Sequence, residues 1–376
     1  MEKKSEIFLN ENSLSPNYLP PKLPYRDQEY NFLKNIFKVD FYWQSALILG
    51  GLGFGKTSLS NLVGLELSKE SSKLRYIPIP CLECRNSFYQ LLLRMIRSFI
   101  PNFPPKGHST SELTEHLIRA SKISKSSIIV LVDDLEFLID KNLRSVYSLA
   151  RLRESIIDEK IKMYFIYTLG DENFLKELNK EYIGFIKKNI VKLRKYSKEE
   201  LREILTYRAS LAFRRNRVEP EAIELIAQLA SKTGNLAYAI ETLWRAGKCA
   251  EYEKEKKLIA EHVYKIRNKV SPKISNELKK FLTPHEKLLL TAIFESLKKP
   301  DISRINIGEV ENTYREICEE RGEKPRKHTQ LWEYMHNLNR FGLISLRFSG
   351  KGFRGRSTLI NFQPKTIGTI KRLIRI

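Results

Sequence analysis

The apolar run Ala46, Leu47, Ile48 and Leu49 ends in Gly50-Gly51-Leu52-Gly53-Phe54-Gly55-Lys56-Thr57, and a helical pattern then continues through Leu67. Buried strand, glycine turn, helix is the order a phosphate-binding loop needs, because the glycines let backbone N–H groups face an anion and the helix brings its positive end to the same point. The eight residues match the pattern GxxxxGKT. Gly51, Leu52, Gly53, Phe54, Gly55 and Ser58 are therefore expected to surround a nucleotide's phosphates. Lys56 carries charge to the outer phosphates, and the Thr57 hydroxyl ligates Mg²⁺. The expected cofactors are ATP or ADP with Mg²⁺.

Further apolar runs at Leu74 to Ile79, Ile128 to Val132 and Met163 to Tyr167 are separated by segments of helical period, Phe88 to Ile100 and Thr110 to Ile123. Strands alternating with helices predict a parallel α/β sheet. The run ending at Val132 delivers Asp133 and Asp134 to a strand's C-terminal end, the edge where the phosphate loop also lies. Asp133 is expected to hold Mg²⁺ through water, and Asp134 to orient or deprotonate the attacking water.

After about residue 194 the pattern becomes helical throughout, opening with a Ser197/Glu200 capping box and continuing over Glu219 to Thr233 and Leu236 to Glu251. A third unit starts where Thr283, Pro284 and Glu286 form a second box. Two more helical stretches, Ile307 to Arg321 and Arg326 to Phe341, lead into Ile344 to Phe348, a Gly/Lys/Arg turn, and Thr358 to Phe362. Three helices followed by a basic hairpin is the winged-helix order. The expected domains are an α/β domain with an N-terminal arm over 1–194, a helical lid over 195–270 and a winged helix over 271–376.

Charge points to the partner. The chain carries a formal +22, and residues 271–376 hold 21 Lys and Arg against 11 Asp and Glu. Such a field concentrates polyanions, with double-stranded DNA the first to consider. In the last long helix Leu331, Met335 and Leu338 share one face, which leaves Arg326, Lys327, His328, Thr329 and Gln330 at a start that can enter a groove. Gln330 and Asn337 are able to read adenine, and Lys351, Arg354 and Arg356 place three cations on the hairpin tip. Four cysteines are too few for a disulfide scaffold; Cys81 and Cys84 alone have CxxC spacing, which without a second ligand pair is weak evidence for zinc, and Cys81, ending the apolar run, reads as a buried strand-end thiol. No apolar stretch spans a membrane and the N-terminus lacks a secretory pattern, so a cytoplasmic, nucleoid-associated protein with no membrane partner is expected.

Taken together, IFLNENSLSPNYLPPKLPYRDQE at Ile7 to Glu29, the GLGFGKT loop and LVDDLEFL resemble the archaeal initiator family related to eukaryotic origin-recognition and cell-division-control loaders. KYSKEELREILTYRASLAF, GNLAYAIETLWRAG and LTPHEKLLL extend the similarity over nearly the whole chain. The resemblance implies an AAA+ ATPase with an all-α lid and a winged helix. It also implies that the Pro20 and Pro21 arm and Arg26 line the adenine side, that Thr168 occupies the first sensor position, and that Lys106 and His108 sit at the edge of a DNA-contacting insertion. The family's lid carries a G-D-x-R pattern, and here the matching residues are Gly234, Asn235, Leu236 and Ala237, so the phosphate-reaching arginine is absent. Asn179 to Lys192 contains no arginine to act as a finger, and the candidates Lys187 and Lys188 read as a solvated basic turn. Loss of such charges implies slow hydrolysis.

The resemblance implies a nucleotide-switched protein that binds origin DNA, recruits the replicative minichromosome-maintenance helicase and acts alongside paralogous initiators. A transcriptional or DNA-damage-response regulator derived from an initiator is the alternative, encouraged by the missing arginines. A signalling ATPase of the STAND type is a third reading, against which the basic hairpin argues.

Overall fold

The structure is a computed structural model and describes residues 5–38, 42–84, 87–138, 144–159, 161–170, 184, 186, 188–267, 282–297, 305–340, 343–348 and 358–362. The chain divides into two compact units, Met1–Val270 and Ser271–Ile376.

The first unit is built on five strands, β1 (Trp43–Leu49), β2 (Leu74–Pro80), β3 (Ser127–Asp133), β4 (Met163–Leu169) and β5 (Ile190–Lys192). They run parallel in the order β2-β3-β4-β1-β5. Every residue of β1 and β4 is buried, because helices cover both faces of the sheet. Alternate side chains enter separate cores: Leu47 and Leu49 join Val130 and Val132 on one face, while Ala46 and Ile48 join Ile129 and Leu131 on the other. The continuous apolar runs in the sequence follow from this two-sided burial. Strand β5 carried no such signal, since it has three residues and only Val191 is buried.

Helices Lys198–Ala212, Pro220–Ser231, Leu236–Tyr252 and Ala260–Ile266 form the lid around a core of their own. The box at its start is real: Glu200 N donates to Ser197 Oγ at 3.2 Å and Ser197 N to Glu200 Oε2 at 2.9 Å. The beginning of the arm belongs to this core, although the sequence groups it with the α/β domain. Ile7, Phe8 and Leu14 are buried among the lid helices, the Phe8 ring stacks on Phe213 at 4.7 Å, and Trp244 Nε1 donates to Glu11 Oε1 at 2.8 Å.

The second unit holds helices Pro284–Leu297, Ile307–Glu320 and His328–Arg340 and a small antiparallel sheet. Its strands are β6 (Ile305–Asn306), β7 (Ile344–Phe348) and β8 (Thr358–Phe362), in the order β6-β8-β7. The hairpin strands pair from Ile344 with Phe362 to Phe348 with Thr358. Leu331, Met335 and Leu338 are buried in one core with Leu289, Ile293, Tyr314 and Ile360, so the face read from their spacing is the core face.

Candidate functional site

The register of β1, β4 and β3 places three chain ends side by side on one sheet edge. Ile48 pairs with Thr168 across β1 and β4, and Tyr167 with Val132 across β4 and β3. The glycine loop leaving β1, Thr168 near the end of β4 and Asp133 at the end of β3 therefore meet. Thr57 Oγ1 donates to the Asp133 carboxylate at 2.9 Å, and Thr168 Oγ1 donates to its Oδ1 at 2.6 Å. Asp134 N in turn donates to Thr168 Oγ1 at 2.7 Å. Lys56 is buried, and its Nζ donates to Gly50 O at 2.8 Å and Gly51 O at 3.4 Å, so the ammonium lies within the loop it follows.

The loop has the form an anion requires. Gly53 and Gly55 have φ of +77° and +92°, which only glycine adopts without strain. A Cβ on Gly51 would lie 3.0 Å from the Phe54 ring, and one on Gly53 only 2.0 Å from Asn235 Oδ1. At Gly53 glycine is thus demanded by close approach as well as by backbone angle. A hydroxyl and a carboxylate, both hard oxygen donors at the mouth of this turn, suit Mg²⁺.

Burial raises the Asp133 carboxyl above its ordinary value, and hydrogen bonds from Thr168 and Thr57 pull it back. Glu136, to which the sequence pattern assigns no role, is raised by burial too, and the charge of Lys56 opposes that. Its Oε1 accepts from Gly170 N at 3.1 Å. Its only signal in the sequence was a position three residues past Asp133, where a turn brings it back to the sheet edge. Cys81 and Cys84 are both buried in a one-turn helix directly after β2, and burial drives the Cys81 thiol well upward.

Arg26, expected on the adenine side, is tied to the phosphate loop and to the start of the lid. It is 1% exposed, and its guanidinium is a brace: Nη2 donates to Phe54 O at 3.1 Å and to Arg194 O at 2.8 Å, and Nε donates to Tyr196 Oη at 3.0 Å. The guanidinium also lies 4.2 Å from the centre of the Tyr196 ring. It ties the phosphate loop to the first residues of the lid. Pro20 is buried in the same arm. From the other side Leu236 N, at the start of the lid helix capped by Asn235, donates to Gly53 O at 3.2 Å. Ala237 follows at once, with no charge to offer. Lys188 donates to Gln44 Oε1 at 3.2 Å, and Lys187 lies outside the described residues.

In the second unit Arg326, Lys327, His328, Thr329 and Gln330 are all exposed. The helix begins at His328, whose Nδ1 is 2.9 Å from Glu311 Oε2. Asn337 departs from the adenine-reading role. Its Nδ2 donates to Glu286 Oε1 at 2.9 Å, and Glu286 is the buried acid of the Thr283 capping box. Lys351, Arg354 and Arg356 lie outside the described residues. On the α/β unit Lys106 is exposed, whereas the His108 ring packs 4.9 Å from Phe103 and 5.2 Å from His116.

Over 94% of its length this chain is 30% identical to the ORC1-type DNA replication protein 2 of Saccharolobus solfataricus, of which the match covers 90%. The chain belongs to the family of archaeal ORC1-type DNA replication proteins. Two family models agree within it: the CDC6, C terminal winged helix domain matches residues 277–367, and the Cdc6 AAA+ ATPase-type lid domain matches residues 202–268. The fold is that of the Aeropyrum pernix ORC1 protein solved in complex with DNA, with TM-score 0.79 at 22% identity over 99% of this chain and 97% of that one. The Aeropyrum pernix ORC2 protein, solved as ADPNP-ADP complexes, shares it with TM-score 0.66 at 22% identity over 98% of both chains. The ORC1-type family, the AAA+ fold and the winged helix expected from the sequence are those found. No helix among the described residues is long and apolar enough to cross a membrane.

Proposed function

We propose that this ORC1-type protein binds replication-origin DNA in a manner switched by ATP and ADP, and helps to recruit the replicative minichromosome-maintenance helicase. The observation that carries the reading is the meeting of Lys56, Thr57, Asp133 and Thr168 on one sheet edge, in a chain whose other unit is a winged helix with an exposed basic helix start. Lys56 and the Gly50 to Ser58 backbone hold the phosphates, Thr57 and Asp133 hold Mg²⁺, and Thr168 senses the outer phosphate. Asp134 orients the attacking water. The Aeropyrum pernix ORC2 protein was solved with ADPNP and ADP and the ORC1 protein of that organism with DNA, which supports the same ligands here. Arg326 to Gln330 and the hairpin cations at 351, 354 and 356 take the duplex, with Lys106 and His108 as a second contact. The protein acts in the cytoplasm at the nucleoid, beside paralogous initiators.

Ala237 favours one variant of this reading. With alanine at the position where the family's lid motif carries its phosphate-reaching arginine, hydrolysis is slow and the nucleotide acts as a switch, which also suits an initiator-derived regulator. Genome-wide occupancy of the tagged protein separates the two. Peaks at replication start sites are expected, peaks confined to promoters would make it a regulator, and no peaks would overturn the DNA-binding reading.

A further inference from the structure

The two carboxylate oxygens of Glu136 differ in their surroundings. Oε1 accepts from Gly170 N at 3.1 Å, directly after β4 ends at Leu169. Oε2 is buried and has no hydrogen-bond donor among the described residues. A buried carboxylate oxygen is rarely left without a donor, because desolvation strongly penalises it. The backbone enforces the placement. Asp134, at φ +54°, reverses the chain past β3, Leu135–Phe137 makes one tight turn with Phe137 N on Asp134 O at 3.0 Å, and Leu135 anchors that turn in the core. The charges of Lys56 and Asp133 both act on Glu136, so it stands in the electrostatic field of the loop and the strand-end acid.

We propose that Oε2 of Glu136 accepts a hydrogen bond from a magnesium-bound water of the nucleotide complex, making Glu136 an acidic positioning residue beside Asp133. The proposal rests on the reading of Gly50 to Thr57 as a nucleotide loop. Magnesium keeps several of its waters when bound, and the outer partners of those waters are part of its site. Asp133 already accepts from the hydroxyls of Thr57 and Thr168, and Lys56 Nζ donates to loop carbonyls. The donor that Oε2 lacks is thus one a hydrated cation supplies, together with positive charge for two neighbouring acids.

The test measures binding of a fluorescent N-methylanthraniloyl ATP to the full chain, in EDTA and across a Mg²⁺ titration, for wild type, E136Q, E136A and K56A. Both Glu136 variants are expected to need about tenfold more Mg²⁺ for half-saturation while binding nucleotide in EDTA as wild type does. Unliganded E136Q should melt no lower than wild type, since glutamine still accepts from Gly170 N and removes the unpaired charge. An unchanged Mg²⁺ requirement in both variants overturns the proposal. So does weakened binding in EDTA or a lower unliganded melting point for E136Q, either of which would assign Glu136 to holding the turn. If K56A binds as wild type does, or wild type binds nothing, the nucleotide-loop reading itself falls and this proposal with it.

Discussion

Thr168 Oγ1 donates to Asp133 Oδ1 at 2.6 Å while accepting from Asp134 N at 2.7 Å, so one hydroxyl fixes both the carboxylate and the turn that follows it. In T168V the shape stays, but the Asp134 N–H loses this acceptor and Asp133 Oδ1 keeps only the Thr57 hydroxyl of its two donors, at 3.1 Å, which weakens the site by about 1–3 kcal/mol. Asp133 must be ionised to hold magnesium, and removing a hydrogen bond that lowers its pKa raises it further. Magnesium-dependent ATP affinity in T168V should therefore fail at a higher pH than in wild type as the solution is acidified. Affinity measured from pH 5 to 8 checks this, and superimposable profiles would remove Thr168 from the site.

The same burial sets the sign of a stability effect. The Asp133 carboxyl is raised above its ordinary value of 3.8, so ionising it is harder in the folded state than in the unfolded chain. Its contribution to stability is full below 3.8 and is lost as pH rises through the raised folded value. D133N escapes that loss. Unliganded D133N should melt above wild type at pH 7, with the advantage shrinking toward pH 4, while Mg²⁺ and ATP stabilise wild type alone. Calorimetric scans over this range test both halves, and lower melting of D133N at neutral pH would contradict the assignment.

Arg26 joins the phosphate loop to the lid from a buried position. Replacing it by methionine leaves Phe54 O, Arg194 O and Tyr196 Oη without their donor, and Glu29 without its partner at 3.2 Å. A loss of about 3–5 kcal/mol is expected. Lysine should not restore it, because a single ammonium cannot reproduce the planar fork that reaches four acceptors. Urea unfolding of R26M and R26K gives the stability, and nucleotide titration gives the consequence for the loop. Wild-type stability in R26K would show that charge alone suffices.

Glu136 and Arg26 mark the boundary of what the sequence discloses. Motifs whose function lies in contiguous backbone, such as Gly50 to Thr57 and the two capping boxes, are legible because the spacing itself is the structure. The runs Ala46 to Leu49 of β1, Ile128 to Val132 of β3 and Met163 to Tyr167 of β4 were visible because burial on both faces keeps them apolar. The resemblance puts Arg26 on the adenine side, and only the convergence of Phe54, Arg194 and Tyr196, up to 170 positions away, makes its guanidinium a buried brace. The Asn337 contact is hidden for the same reason: helical spacing puts it off the apolar face, yet Glu286 on another helix engages its amide. Long-range pairing carries no local period, so no local pattern reports it.

That difference between Asn337 and the helix start yields a prediction about DNA. Arg326 and Lys327 are exposed beside His328, where a phosphate can reach them, whereas Asn337 is engaged by Glu286 inside the unit. Each phosphate that the protein no longer neutralises should lower the magnitude of the log-log salt slope of duplex binding by about 0.9. R326E/K327E should therefore bind all sequences more weakly and with a shallower slope. N337A should keep the slope and the sequence preference but lower the melting point, because Glu286 Oε1 loses its donor within a buried contact. Anisotropy titrations on origin and random duplexes between about 50 and 200 mM salt separate the two behaviours. If N337A relaxes sequence preference while keeping its melting point, the Asn337 amide reads a base after all, and the helix docks by a different face.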